Sequence, residues 1–164
     1  MKSLPDVLKF KRLIVVGLLL ACSVTASQAA TDVDPRLKAF AALKRGQTEE
    51  LAAKLHLDMP PEARGFFHAA EAGEWIAVSN SFERIWPRSG TNGPLPGLRN
   101  VLYVPIHETF WAYAEFGRWE PTMLQKFADG ILKSIPAGSI YFGGTDPGRF
   151  VVTAVRDVAK SPDI

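Results

Sequence analysis

Residues 61–86, PEARGFFHAAEAGEWIAVSNSFERIW, decide the fold of this chain, because two helix patterns meet there at one glycine. The first pattern spans 61–72, the second spans 75–85, and Gly73 lies between them. Proline suits the first turn of a helix, and glycine tolerates the positive φ of a helical corner. The second pattern places apolar side chains on one helix face, at Trp75, Val78, Phe82 and Ile85. The stretch therefore predicts a helical hairpin.

A second, similar corner follows 44 residues later in the chain. The sequence AEAGEW at 70–75 recurs as AEFGRW at 114–119, and in each copy a Trp stands two positions after the Gly. A large indole ring at that place can fill the angle between two helices. We therefore expect both glycines to turn the chain, and Trp75 and Trp119 to seal the two corners.

The first hairpin also has the spacing of a known repeat. A Gly is followed by an aromatic residue at two positions and by apolar residues at five, nine and twelve positions, namely Gly73, Trp75, Val78, Phe82 and Ile85. In this spacing residues 61–87 resemble the second half of a tetratricopeptide repeat, with a weaker echo at 105–133. The 44-residue interval exceeds that family's period, and the family's closing Pro would fall three positions after Pro87. The resemblance implies helical hairpins that present a groove to a protein or peptide.

Start and stop signals predict the other helices. Asp34-Pro35 opens a first helix, which Gly46 is expected to end, and Thr48 begins a second one. Three more helices are predicted at 105–116, 121–133 and 149–159.

Two short apolar runs favour β-strands, VLYV at 101–104 and SIYF at 139–142. The predicted fold class is therefore mainly α, made of helical hairpins, with one or two short strands near 101–104 and 139–142. Two four-residue strands would leave open sheet edges. An incomplete α/β unit at the C-terminus, interrupted at Ile164, is therefore the alternative.

Residues 1–30 have the features of a secretory signal peptide. Four basic residues precede a nine-residue apolar run, LIVVGLLLA at 13–21, and small residues follow at Ser27 and Ala29. The run has about half the length of a membrane-spanning helix. The pattern predicts an exported protein, periplasmic or extracellular. Alternatively, LLAC at 19–22 resembles the lipobox of bacterial lipoproteins, and lipidation of Cys22 would anchor the protein to a membrane.

The remainder of the chain has the size of one ordinary domain. We expect helical hairpins at 31–86, a loop rich in Gly and Pro at 87–100, and a helix pair followed by a strand–turn–helix at 101–164. Residues 31–164 carry 15 basic and 16 acidic side chains without a basic cluster, which argues against nucleic-acid binding. The only Cys of the chain is Cys22, so a form that begins near residue 30 has no disulfide.

One turn carries the pattern of a ligand site. In SIYFGGTDPGR, at 139–149, a strand pattern leads through two glycines into a helix that begins with proline. Backbone N–H groups at a helix N-terminus attract anions, and glycine lets a ligand approach the backbone. The candidate ligand-binding residues are Gly143, Gly144, Thr145, Asp146 and Arg149. Alternatively, Asp146 only caps the helix.

The same turn is loosely similar to a strand–Gly–Asp turn in bacterial membrane proteins related to glycosyltransferases. Their core has the order Gly-Asp-Asn-Asp, whereas this chain has Gly-Thr-Asp-Pro-Gly at 144–148. Because the departure is large, the resemblance implies no activity for this chain.

Catalytic and metal patterns are weak in this sequence. His107-Glu108 begins like a zinc-protease motif, but Trp111 stands where that motif requires a second His. No Ser has the setting of a hydrolase nucleophile. We therefore predict no metal and no cofactor. The leading hypothesis is an exported, non-catalytic module that binds a protein or peptide. The alternative is a fragment of an α/β enzyme or anion-binding domain with its site at Gly143–Arg149.

Overall fold

The computed structural model describes residues 33–86, 98, 100–144 and 146–159. The described chain is mainly helical, as the sequence predicts. A short π-helical segment at Pro147–Val151 leads directly into the last helix. The α-helices are α1 (Pro35–Lys54), α2 (Pro61–Ala72), α3 (Trp75–Ile85), α4 (Asn100–Phe116), α5 (Pro121–Ser134) and α6 (Val152–Ala159).

Several predictions fall outside these residues. The signal peptide at 1–30, the lipidation site Cys22 and the ligand candidate Thr145 are among them, as is most of the loop at 87–100. Within the described ranges, no helix is both long and apolar enough to cross a lipid bilayer.

Helix α1 is the longest helix described, and it packs against α2, α4 and α6. It begins as predicted, because the Asp34 carboxylate accepts a hydrogen bond from the Arg36 backbone N–H. The predicted stop at Gly46 is wrong. A buried stripe continues on both sides of Gly46, from Phe40 to Ala52, and its packing offsets the roughly 1 kcal/mol that glycine costs inside a helix.

The α2–α3 hairpin follows the prediction, and Gly73 turns the chain with φ 81°. Gly117 also lies in a turn, directly after α4, so the predicted turn is confirmed; it is made without the positive φ that was expected of this glycine. The ring of Trp75 stacks on Phe110 of α4, with ring centroids 5.6 Å apart. Trp119 packs on Phe127 of α5 at 5.1 Å, as expected for a ring that seals a corner. Trp75 therefore joins the hairpin to a third helix.

Neither predicted strand is present among the residues described. The run 101–104 belongs to α4, because burial there follows a helical period: Leu102 and Ile106 are fully buried, whereas Val101 and Val104 are exposed. Residues 139–142 follow a turn at Gly138 and form no ladder. A strand needs a partner, and the segment expected to supply one is helical. The α/β alternative for the C-terminal part loses its sheet for the same reason.

Candidate functional site

A cleft of about 960 Å³ opens on the described surface. It lies between the start of α1, the end of α4 and the connection from α4 to α5, with one wall from the α2–α3 corner. Apolar and aromatic side chains form most of its lining, chiefly Leu37, Trp75, Tyr113, Phe116, Trp119 and Leu124. Its volume is at the upper end of the range for small-molecule sites.

Stacked rings hold the wall of this cleft. Trp75 lies almost parallel to Tyr113, with an interplanar angle of 4° and centroids 6.3 Å apart. The Tyr113 hydroxyl donates a hydrogen bond to the Ala70 carbonyl, which ties α4 to the last turn of α2. Burial raises the pKa of the Tyr113 phenol above its usual range, so it stays protonated and keeps donating. The wall is therefore in place before any ligand binds.

The opposite side of the cleft carries an ion pair between Arg36 and Asp34. Arg36 binds the Asp34 carboxylate through Nε and Nη2, the latter at 2.6 Å, and donates through Nη1 to Gln125. Its guanidinium also lies 5.5 Å from the centre of the Phe116 ring. Desolvation raises the pKa of Asp34, but the hydrogen bonds and charge of Arg36 outweigh it and hold that pKa below its ordinary value. All three nitrogens of the Arg36 guanidinium are thus engaged.

A second arginine at the cleft is more open. Arg118 follows the end of α4 and donates one hydrogen bond, from Nη1 to Glu115 Oε1 at 2.6 Å. The Arg118 side chain is 62% exposed, whereas that of Glu115 is 5% exposed. The positive charge therefore faces the solvent, and the carboxylate lies beneath it.

The sequence-predicted ligand turn has a different geometry. A Cβ added to Gly143 would lie 2.7 Å from Arg149 Cα, so Gly143 packs directly on the backbone of the π-helical segment. Tyr141 fixes the same contact by donating to the Gly148 carbonyl at 2.9 Å. The close approach that Gly143 permits is thus made by the chain itself. Gly144 has open space around it.

The other two described ligand candidates of that turn, Asp146 and Arg149, do not face a common point. Asp146 is exposed, and its side chain makes no capping hydrogen bond. The alternative prediction, that Asp146 caps the helix, is therefore wrong. Arg149 turns toward α4, where its Nη2 lies 3.7 Å from Glu108 Oε1. Ligand binding at Gly143–Arg149 remains a prediction from sequence.

Sequence reasoning missed a buried charge cluster between α1, α4 and α6. Lys44 Nζ lies 2.9 Å from Glu108 Oε2 and 3.5 Å from Asp157 Oδ2. The ammonium group also sits 5.0 Å from the ring centre of Phe40. One signal could have shown it, because Lys44 stands in the apolar stripe of α1, four positions after Phe40. The cluster joins three helices and leaves no buried side-chain polar atom unsatisfied among the described residues.

His107 precedes Glu108 of this cluster, and aromatic side chains surround its imidazole ring. Its Nε2 accepts a hydrogen bond from Trp111 Nε1 at 2.9 Å, and the rings of Tyr103 and Phe150 are within 5.6 Å. Desolvation, followed by the charge of Arg149, lowers the pKa of His107. No group of three or more His, Cys, Asp or Glu in the described ranges is placed to share a metal ion.

Neither a scan against protein-family models nor searches of curated proteins and of solved structures finds a match to this chain. A proposal for its function therefore rests on the geometry of the described residues.

Proposed function

We propose that this chain is an exported, non-catalytic module that binds an apolar segment of a partner protein or peptide in the cleft between α1, α4 and Trp75. The observation that carries the proposal is the aromatic lining of that cleft. Peptide-binding grooves work by burying a few apolar anchors against rigid walls. Export is supported by the basic head, apolar run and small-residue exit of residues 1–30.

Rigid rings make good binding walls because little side-chain entropy is lost on contact. Trp and Tyr residues dominate the binding energy of many interfaces for this reason. In this cleft the Trp75 ring is supported from behind by Phe110 and Tyr113 and still shows 39% of its surface. A supported ring with a free face is suited to receive an apolar side chain.

The charged residues of the cleft fit binding better than catalysis. Asp34 and Arg36 neutralise each other, and the pKa of Asp34, the carboxylate among the described lining residues, is lowered rather than raised. The described lining therefore favours apolar contact and orientation over proton transfer.

The test uses a random peptide-display library selected on the immobilised full chain. We expect enrichment of peptides with a short apolar core, followed by measurable binding of the resynthesised peptide. Trp75→Ala should then weaken binding about 30-fold, which corresponds to the roughly 2 kcal/mol of an aromatic hot spot.

Trp86→Ala is the matched control. Trp86 has a similar exposure, 37%, and also stacks on a tyrosine, Tyr103 at 4.9 Å, but it lies outside the cleft. Its replacement should leave affinity unchanged. If selection enriches no sequence, or if Trp86→Ala weakens binding as much as Trp75→Ala, the proposal fails.

A further inference from the structure

The two arginines of the cleft differ in how much hydrogen-bonding capacity they have left. A guanidinium has five N–H donors in a fixed plane. Arg36 uses Nε, Nη1 and Nη2 for contacts with Asp34 and Gln125. Arg118 donates only through Nη1 within the described part of the chain. Its Nε and Nη2 edge, the edge that binds a carboxylate through two parallel hydrogen bonds, has no partner there.

Resting on the proposed function, we infer that the bound segment carries an acidic side chain next to its apolar anchor, and that Arg118 binds this carboxylate. Arg118 lines the same cleft as Trp119 and Phe116, so an anchor on these rings brings a neighbouring side chain within its reach. The cleft then selects an acidic, apolar peptide over a basic one.

The acidic groups near the cleft do not cancel this preference. Asp34 is bound by Arg36, and Glu115 lies buried under Arg118. The Glu120 carboxylate accepts hydrogen bonds from the backbone N–H groups of Thr122 and Met123, both at 3.0 Å, at the start of α5. Asp34 and Glu115 are thus paired with arginines, and Glu120 is held by neutral backbone N–H groups. Among the described residues that line the cleft, Arg118 is the charged side chain with free donors.

Exposure limits the size of the effect. Because Arg118 is largely solvated, its pair with a ligand carboxylate resembles a surface ion pair and is screened by salt. We expect a Glu-containing peptide to bind about 3-fold more tightly than its Gln counterpart, and about 10-fold more tightly than its Lys counterpart. The difference should disappear at high salt.

The experiment compares three versions of one selected peptide, with Glu, Gln or Lys beside the apolar core. All three are acetylated and amidated, so that the varied side chain is the only source of the carboxylate. They are titrated against the full chain by isothermal calorimetry or fluorescence anisotropy. Arg118→Gln alone would leave Glu115 buried without its cation and could unfold the protein.

The variants are therefore built on Glu115→Gln. That change frees the whole Arg118 guanidinium, and the preference for Glu over Gln should increase. The double variant Glu115→Gln/Arg118→Gln should bind the two peptides equally. Arg84→Glu, an exposed arginine of α3 outside the cleft, is the control and should keep the wild-type preference.

Two failures can be told apart. If none of the three peptides binds, the proposed function itself is wrong. If they bind but the wild type and Glu115→Gln do not distinguish Glu from Gln at low salt, or if the double variant keeps the preference, the assignment of Arg118 is overturned.

Discussion

Replacing Lys44 by methionine tests whether the buried charge cluster holds the helices together. The Lys44 side chain is 7% exposed, and those of Glu108 and Asp157 are 21% and 11% exposed. Breaking a buried ion pair by removing one partner typically costs 3–5 kcal/mol, because the charge left behind loses its compensation. Methionine keeps most of the side-chain volume, so the variant isolates the charge.

The structure places the expected loss at the lower end of that range. Without Lys44, Glu108 keeps Arg149 at 3.7 Å and Asp157 keeps Arg156 at 2.6 Å. Each carboxylate is then partly compensated by an arginine that is about half exposed. We therefore expect Lys44→Met to lower the free energy of unfolding by about 3 kcal/mol. For a domain of this size that corresponds to a melting temperature lower by about 10 °C.

Urea unfolding followed by helical circular dichroism measures this loss. Lys54→Met is the matched control, because Lys54 is on the same helix and pairs with Glu50 at 2.7 Å on the exposed surface. It should unfold like the wild type. The triple variant with Glu108→Gln and Asp157→Asn should recover part of the loss, because no uncompensated carboxylate remains. If Lys44→Met and Lys54→Met have the same midpoint as the wild type, the cluster does not stabilise the fold.

Three further predictions concern the C-terminal part. Gly143→Ala should destabilise by about 1–3 kcal/mol, because its Cβ would meet backbone atoms of the π-helical segment at 2.7 Å and 2.8 Å; Gly144→Ala, with nothing within 4 Å, should be neutral in the same thermal unfolding assay. The pKa of His107 is lower in the folded state than its ordinary value of 6.5, which the unfolded chain keeps. The neutral His107 side chain therefore contributes fully to stability above pH 6.5, and this contribution is lost as the pH falls through the folded-state pKa. His107→Gln should therefore lose less stability than the wild type between neutral and acidic pH, and equal acid sensitivity would refute this. Phe142 is 86% exposed in a segment without regular secondary structure. Phe142→Lys should thus leave the melting temperature unchanged and reduce aggregation seen by light scattering, and a clear drop in melting temperature would contradict this.

The sequence predicts the α2–α3 hairpin well because its local signals agree with its packing. Pro61 begins α2, Gly73 adopts the left-handed conformation that glycine favours, and the stripe from Val78 to Ile85 is buried. At Gly46 a local signal disagrees with packing, and packing prevails. Glycine inside a helix costs little free energy compared with the packing gained when the residues on either side of it continue one buried stripe.

The strand predicted at 101–104 is wrong because four residues are too few to distinguish a strand from a helix. Four apolar residues in a row are compatible with a buried strand or with a turn of helix, and Pro105 suggests a helix start after them. The helix instead begins at Asn100, and Pro105 lies inside it. Burial of Leu98 and Leu102 against the core decides the conformation, and those contacts come from residues distant in sequence.

Sequence alone does not indicate the cleft, because its lining comes from four parts of the chain. The repeated Gly–x–Trp pattern supplies Trp75 and Trp119, but it does not fix where their rings lie relative to each other. Trp75 and Trp119 were expected to seal corners. Trp119 packs on α5, whereas the Trp75 ring stacks on Phe110 and Tyr113 of α4, and this placement makes it part of the wall of the cleft. The same argument separates Arg118 from Arg36. Both arginines lie near a carboxylate. Only the folded geometry shows that Arg36 donates to Asp34 and Gln125 through all of its guanidinium nitrogens, whereas Arg118 donates through Nη1 alone and presents Nε and Nη2 to the solvent.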